Sequence, residues 1–134
     1  MLFRSIILDT NFLMIPFQFK VDIFSEFRRV CSFNFSLCMF EQSVNELKNI
    51  IEKQAGKNKK AAQFALKLIN LKNIEMIKRA GNDVDSLILE NSDKDAIVAT
   101  QDIKLKKMLL ENGVPVIILR QKKYLQLIER KLYK

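Results

Sequence analysis

The stretch RSIILDTNFLM, residues 4–14, runs apolar up to Asp9, interposes Thr10 and Asn11, and turns apolar again at Phe12. Residues 4–9 are short, apolar, β-branched and sharply bounded, the pattern of a buried strand. A carboxylate at the end of such a strand has two readings. It can cap the turn or helix that follows. It can also be the first ligand of a metal site, because open parallel sheets bind ligands beyond the carboxyl ends of their strands.

Outward from that strand the periodicities alternate. Residues 22–31 carry apolar side chains at 23, 24, 27, 30 and 31, a helical spacing. Residues 34–39 alternate Phe35, Leu37 and Met39 against Asn34, Ser36 and Cys38, and read as a second strand. Helical patterns follow over 42–53 and 58–70, then NIEMIK (73–78) reads as a third strand. A turn at Gly81-Asn82 opens a helix over 85–91, AIVAT (96–100) is a fourth strand, 103–112 a helix, and PVIIL (115–119) a last strand. Gly113 stands where a helix C-cap belongs, with Pro115 just beyond. The basic stretch 122–132 reads as a terminal helix. No repeat or linker interrupts the alternation. It implies one α/β domain over 1–134, a three-layer αβα sandwich around a mostly parallel, five-stranded sheet.

Composition narrows the chemistry. A chain of 134 residues is long enough for one buried core. It contains no histidine, which removes the Ser-His-Asp and Cys-His arrangements and the commonest nitrogen ligand of zinc. A catalytic metal must then be held by oxygen, which selects hard ions, Mg²⁺ or Mn²⁺. The glycines, Gly56, Gly81 and Gly113, are too dispersed for a G-x-G-x-x-G or P-loop motif. Cys31 and Cys38 fit neither zinc-site spacing nor a disulfide framework, and read as buried free thiols. Lys plus Arg number 23 against 15 Asp plus Glu, a net charge of +8, so a polyanionic partner such as nucleic acid is expected. No apolar run spans a bilayer and no signal peptide is recognisable, so a cytoplasmic protein without membrane partners is expected.

The strand-end rule sorts the acids. Asp9 ends the first strand, and Asp102 follows AIVAT in the loop ATQD. Asp93 and Asp95 precede that strand and belong to the opposite edge. Glu46 lies in the first turns of the helix after the second strand. Asp83 and Asp85 lie equally far round the wheel from the Val84/Leu87/Ile88 face, so periodicity does not choose between them. Each acid taken singly has a structural reading, as a cap, a dipole partner or a solvated charge. Delivered together to one sheet edge they would repel strongly, and such a cluster calls for a bound cation. The fitting chemistry on a basic domain is metal-assisted phosphodiester hydrolysis, with Asn11 and Thr100 as orienting polar groups. A phosphatase of the haloacid dehalogenase type would show Asp-x-Asp after the first strand, and Asn11 stands at the second position.

With ILDTNFL (7–13), SVNEL (43–47), DVDSLIL (83–89), ATQD (99–102) and GVPVIIL (113–119) in that order, the chain resembles the PIN-domain ribonucleases over nearly its whole length. The resemblance implies a compact αβα nuclease fold with an acidic pocket binding Mg²⁺ or Mn²⁺. It matches the family's acids to Asp9, Glu46, Asp85 and Asp102, its polar partners to Asn11 and Thr100, and it selects Asp85 over Asp83. The strings LDTNFLMIPFQFKVDIFSEF and GVPVIILRQKKYLQL look most like archaeal Fcf-type rRNA-processing nucleases, which implies a ribosomal RNA precursor or ribosome-assembly complex as partner. Ser86 departs from that subgroup, which often carries a second aspartate there. A VapC-like toxin is the same-fold alternative, and a catalytically silent RNA-binding scaffold is the alternative of another class. RNA contacts are expected from Lys53, Lys57, Lys59 and Lys60, and from Arg120, Lys122 and Lys123, whose cations can hold phosphates without reading sequence. A homodimer is also expected, because PIN proteins often pair.

Overall fold

The computed structural model describes residues 3–129. In chain order they form β1 (Phe3–Leu8), a 3₁₀ turn (Thr10–Met14), α1 (Ile15–Phe19), α2 (Ile23–Val30), β2 (Asn34–Phe40), α3 (Glu41–Lys53), α4 (Gly56–Leu71), β3 (Glu75–Ile77), α5 (Val84–Asn91), β4 (Ala96–Ala99), α6 (Ile103–Glu111), β5 (Val116–Arg120) and β6 (Tyr124–Ile128). The strands make one sheet in the order β3-β2-β1-β4-β5-β6. All neighbours are parallel except β5 and β6.

The period of two along the strands decides the layers. In β1, Ile6 and Leu8 face a core shared with Phe27 of α2, Leu47 of α3 and Ala61, Ala62 and Ala65 of α4. Ile7 faces the other core, with Val84, Leu87 and Ile88 of α5 and Leu105 and Leu109 of α6. Helices on both faces of a parallel sheet make the three-layer αβα sandwich. The fully buried alanines of α4 leave room for α3 to lie close against it. α2 starts where Asp22 accepts hydrogen bonds from the Phe24 and Ser25 amides at 3.1 and 3.3 Å. Cys31 and Cys38 are free and buried, and burial pushes each thiol up to about 11.

The order of strands places the functional edge. From β1 the chain builds outward through β2 to β3, then returns to the other side of β1 for β4 and β5. The connections after β1 and β4 therefore leave in opposite directions, and a crevice opens between the ends of these two strands. Asp9 follows one and Asp102 the other. Asp93 and Asp95 lie at the opposite edge, where the Asp95 carbonyl accepts from the Ser5 amide at the start of β1.

The sheet differs from expectation at its C-terminal end, with six strands rather than five. Residues 124–128 of the expected 122–132 helix form β6, antiparallel to β5, and residues 130–132 lie outside the described residues. Leu125 and Ile128 fit a helical spacing, but Leu125 and Leu127 also fit a strand, and short apolar runs are ambiguous between the two. The deciding element is the turn after Arg120. The Lys123 amide donates to the Arg120 carbonyl at 3.0 Å, and Gln121 and Lys122 both take positive φ, 52° and 56°. That handedness matches the twist of a hairpin, yet it is reached here without the Asn-Gly or Asp-Gly pair that would announce it. Leu125, 1% exposed, is then buried under the hairpin. As an edge strand, β6 would present unpaired backbone groups. α2 covers them: the Leu125 amide donates to Glu26 Oε1 at 2.8 Å, and its carbonyl accepts from Arg29 Nη2 at 2.7 Å. Among the described residues no helix is long and apolar enough to cross a membrane.

Candidate active site

Asp9 is held before any ligand arrives. β1 ends at Leu8, and the 3₁₀ turn winds at once from Thr10, so the Asp9 carboxylate meets the first free amide of that turn, Thr10 N–H to Oδ1 at 2.9 Å. Its second oxygen accepts from the hydroxyl of Thr100, the residue just after β4, at 2.8 Å. The same Thr100 oxygen accepts from the Asp102 amide at 3.0 Å, so one buried hydroxyl ties the two crevice walls together. Asp102 caps α6 through Oδ1, accepting from the Lys104 and Leu105 amides at 2.9 and 3.1 Å. Asp9 and Asp102 therefore each cap the turn or helix that follows and also line the cavity described below.

Glu46 reaches the same place from α3. Thr10, 3% exposed, lies with its hydroxyl oxygen 2.5 Å from Glu46 Oε1 and 2.8 Å from Ser43 Oγ. A threonine hydroxyl has one proton and the carboxylate needs it, so Ser43 supplies the second proton of the pair. Ser43 and Glu46 are three apart on α3 and so share a face. Neither Thr10 nor Ser43 stands out in the sequence. The sequence signal was no more than the position of Thr10 beside a strand-end aspartate, and the structure alone shows Ser43 fully buried.

Asp9, Thr10, Asn11, Glu46, Asp83, Asp85, Gln101 and Asp102 line one cavity of about 480 Å³. The expected carboxylates Asp9, Glu46, Asp85 and Asp102 are thus brought together, with Asn11 exposed at the rim and Thr100 buried beneath. Asp83 shares the cavity with Asp85. It differs in being engaged: the Ser86 hydroxyl donates to it at 2.6 Å and holds its carboxyl below the usual carboxylate range. The three inner acids are pushed the other way. Burial raises Asp9, opposed by its bonds from Thr100 and Thr10 and reinforced by the charges of Glu46 and Asp102. Burial also raises Glu46, against the Thr10 hydrogen bond and with the charges of Asp85 and Asp83. Asp85 is raised by burial and by Asp9, Asp102 and Asp83.

A cavity whose acids resist ionisation through burial, and then through one another's charge, is short of positive charge. Its donors are carboxylate, hydroxyl and carboxamide oxygen, with no histidine and no thiol, a set that fits Mg²⁺ or Mn²⁺. Among the described residues no three acidic, thiol or imidazole side chains already stand in a group that could grip an ion.

The expected cationic residues lie in two runs, one at the α3–α4 junction and one at the hairpin. Lys53, Lys57, Lys59 and Lys60 are all exposed, and Lys57 and Lys60 line a second cavity against α1. Arg120 lines a cavity of about 280 Å³ with Thr100, Gln101 and Lys106, directly behind the acids. Lys122 and Lys123 are exposed in the hairpin turn. Arg130, Lys131 and Lys134 lie outside the described residues.

Comparison with known proteins adds the following. A family model described as a PIN like domain matches residues 6–122. The chain is 32% identical to Ribonuclease VapC4 of Methanocaldococcus jannaschii over 125 residues, 92% of this chain and 95% of that protein. It is 34% identical to Ribonuclease VapC9 of Archaeoglobus fulgidus over 121 residues, 90% and 86% of the two chains. A solved structure of the PIN domain endonuclease Utp24 superposes with a TM-score of 0.74, covering 96% of this chain and 92% of that one at 21% identity, a likeness of fold.

Proposed function

Because this chain belongs to the PIN-like domain family, we propose that it is a divalent-metal-dependent endoribonuclease that hydrolyses RNA phosphodiester bonds. The observation carrying this reading is the convergence of Asp9, Glu46, Asp85 and Asp102 on one cavity at the switch point of the sheet, in a chain whose relatives are named ribonucleases.

Asp9 is the central ligand in this reading. Thr10 and Thr100 fix both of its oxygens, so the carboxylate is ordered before the ion arrives. Glu46 is aimed by Thr10. Asp85 and the free oxygen of Asp102 complete the cluster directly or through water. When bound, Mg²⁺ or Mn²⁺ supplies charge neutralisation at the phosphodiester and acidification of water. Asn11 at the rim can hydrogen-bond a phosphate or ribose oxygen, and the lysine runs hold the backbone at a distance from the acids, which would otherwise repel it.

The test is cleavage of 5′-labelled RNA containing single-stranded and hairpin regions, with Mn²⁺, Mg²⁺ or EDTA, for wild type and Asp9→Asn. Cuts that need the metal and fall at least about 100-fold in the variant are the expected result. Binding without cleavage by either protein under any metal would leave the silent scaffold.

Two natural substrates divide the reading. The Fcf-type strings argue for processing of a ribosomal RNA precursor, whereas the two VapC relatives favour a toxin. Expression in a heterologous host separates them. Growth arrest abolished by Asp9→Asn supports the toxin, and discrete cuts in precursor rRNA without arrest support processing.

A further inference from the structure

α1 contributes no residue to the acidic cavity, and its exposed face is built unusually for such a short segment. Phe17 and Phe19 are half-buried, and with Lys20, Lys57 and Lys60 they line a cavity of about 590 Å³. The volume falls within the roughly 300–1,000 Å³ of small-ligand sites. No carboxylate lines it among the described residues. The Lys20 ammonium sits over the Phe17 ring at 5.0 Å, and Lys122, from the hairpin turn, sits over the Phe19 ring at 6.0 Å. The two lysine runs, more than sixty residues apart in sequence, therefore meet around α1.

From this we infer that the α1–α4 cavity is a base-stacking subsite for one unpaired nucleotide of an RNA strand whose scissile phosphate lies at the acids. The inference rests on the ribonuclease reading and adds a position on the strand to it. An aromatic floor with a cationic wall is the combination by which single strands are held, the rings taking the base and the ammoniums the phosphates. The lysines over the rings hold the place of the base. A base stacked on Phe17 or Phe19 displaces an ammonium from a weak, exposed ring contact to a phosphate, where it neutralises a full charge. A docking protein would need carboxylates opposite these lysines and an apolar anchor between the rings. RNA supplies the charge and the flat apolar face in every nucleotide.

The chain itself sets the distance. From Asn11 at the acidic rim to Phe17 the backbone is continuously helical, first 3₁₀ and then α. At 1.5–2.0 Å per residue this separates the two by about 10 Å. That is about three stacked nucleotides at 3.4 Å each.

The experiment is fluorescence anisotropy of a labelled single-stranded RNA ten-mer in EDTA, where cleavage is absent, on the full chain. Phe17→Leu and Phe19→Leu should each weaken binding about tenfold, a typical loss for one stacked base, and leave the salt slope unchanged. Lys57→Gln with Lys60→Gln should weaken binding and also lower the salt slope by about 1.4, about 0.7 for each phosphate contact. Because the phenylalanines are half-buried, circular dichroism accompanies each variant. Ten-mers with a single abasic site, scanned along the strand, repeat the test on the wild-type protein: one position should lose about tenfold and the others little. Phe17→Leu should then cost nothing further with that abasic strand. Equal binding by folded phenylalanine variants, or no position sensitive to base removal, overturns the inference and leaves the cavity to a protein partner. Those results are independent of metal, so absence of cleavage would refute the nuclease reading, and with it the scissile phosphate at the acids, while base stacking in this cavity is decided separately by the binding data.

Discussion

Thr100→Val isolates the hydrogen bond that orders Asp9. Thr100 is fully buried, donates to Asp9 Oδ2 at 2.8 Å and accepts from the Asp102 amide at 3.0 Å. Valine keeps the shape and removes both bonds. A hydrogen bond to a charged group contributes about 1.5–3 kcal/mol, and stranding the partly buried amide costs about 1 kcal/mol more. The added methyl returns less than about 1 kcal/mol, so the net loss is about 2.5 kcal/mol. Thr100→Ser keeps the hydroxyl and loses a methyl group, at about 1 kcal/mol. With a urea slope of about 1.5 kcal/mol/M, the valine variant should unfold about 1.7 M earlier than wild type and the serine variant about 0.7 M earlier. The chain has no tryptophan, so far-UV circular dichroism at neutral pH in EDTA is the assay. The pH dependence is a second readout. The Thr100 bond lowers a carboxyl that burial raises, so its loss lets Asp9 take a proton at higher pH. Proton uptake by the folded variant then restores stability as pH falls, and the deficit should shrink on acidification. A valine variant as stable as the serine variant at neutral pH would refute the idea that this hydroxyl holds a charged carboxylate.

Other perturbations read the rest of the site. In EDTA, the raised Asp9, Glu46 and Asp85 contribute most to stability below the ordinary carboxylate range, and that contribution is lost as pH rises through their raised values. Mn²⁺ at ten times its dissociation constant should raise the melting temperature by about 3–5 °C at neutral pH, through about 1.4 kcal/mol of binding linkage. The shift should fade on acidification and be absent in Asp9→Asn, and an equal shift in that variant would place the ion elsewhere. Thr10→Val strands Ser43 and releases Glu46, and should cost about 3 kcal/mol in urea unfolding, with Thr10→Ser restoring most of it. Equal stability of the two variants would dismiss the Ser43–Thr10–Glu46 chain. Gly81→Ala puts a Cβ 2.9 Å from Leu87 Cδ2 at a φ of 140°, and should lower stability by about 1–2 kcal/mol in a thermal melt. An unchanged melt would mean that the loop before α5 is free to move.

What the sequence determined by itself was the local periodicity and the ends of elements. IILD and AIVATQD are short buried runs broken by a polar residue, so the strands and the acids following them were legible without knowing what packs on them. The α/β alternation then left few arrangements, and strand-end logic placed Asp9 and Asp102 on one edge. The order β3-β2-β1-β4-β5-β6, which makes that edge a crevice, depends on which strands pair across the chain and is a tertiary outcome.

The same holds wherever a residue's neighbour is distant in sequence. Whether 124–128 is helix or strand turned on the twist of a four-residue turn and on α2 being in place to receive the Leu125 backbone. Thr10 and Ser43 looked like ordinary polar residues until α3 was laid against the 3₁₀ turn, 33 positions away along the chain. Asp83 and Asp85, equal on a helical wheel, are told apart in the structure by the Ser86 hydroxyl on Asp83 and by the deeper burial of Asp85. Periodicity encodes which face of an element is buried, because that depends on side chains a few residues apart. It carries no information on which other element arrives at the polar positions, and the hydrogen bonds that join Asp9 to Thr100 and Thr10 to Ser43 and Glu46 are of that second kind.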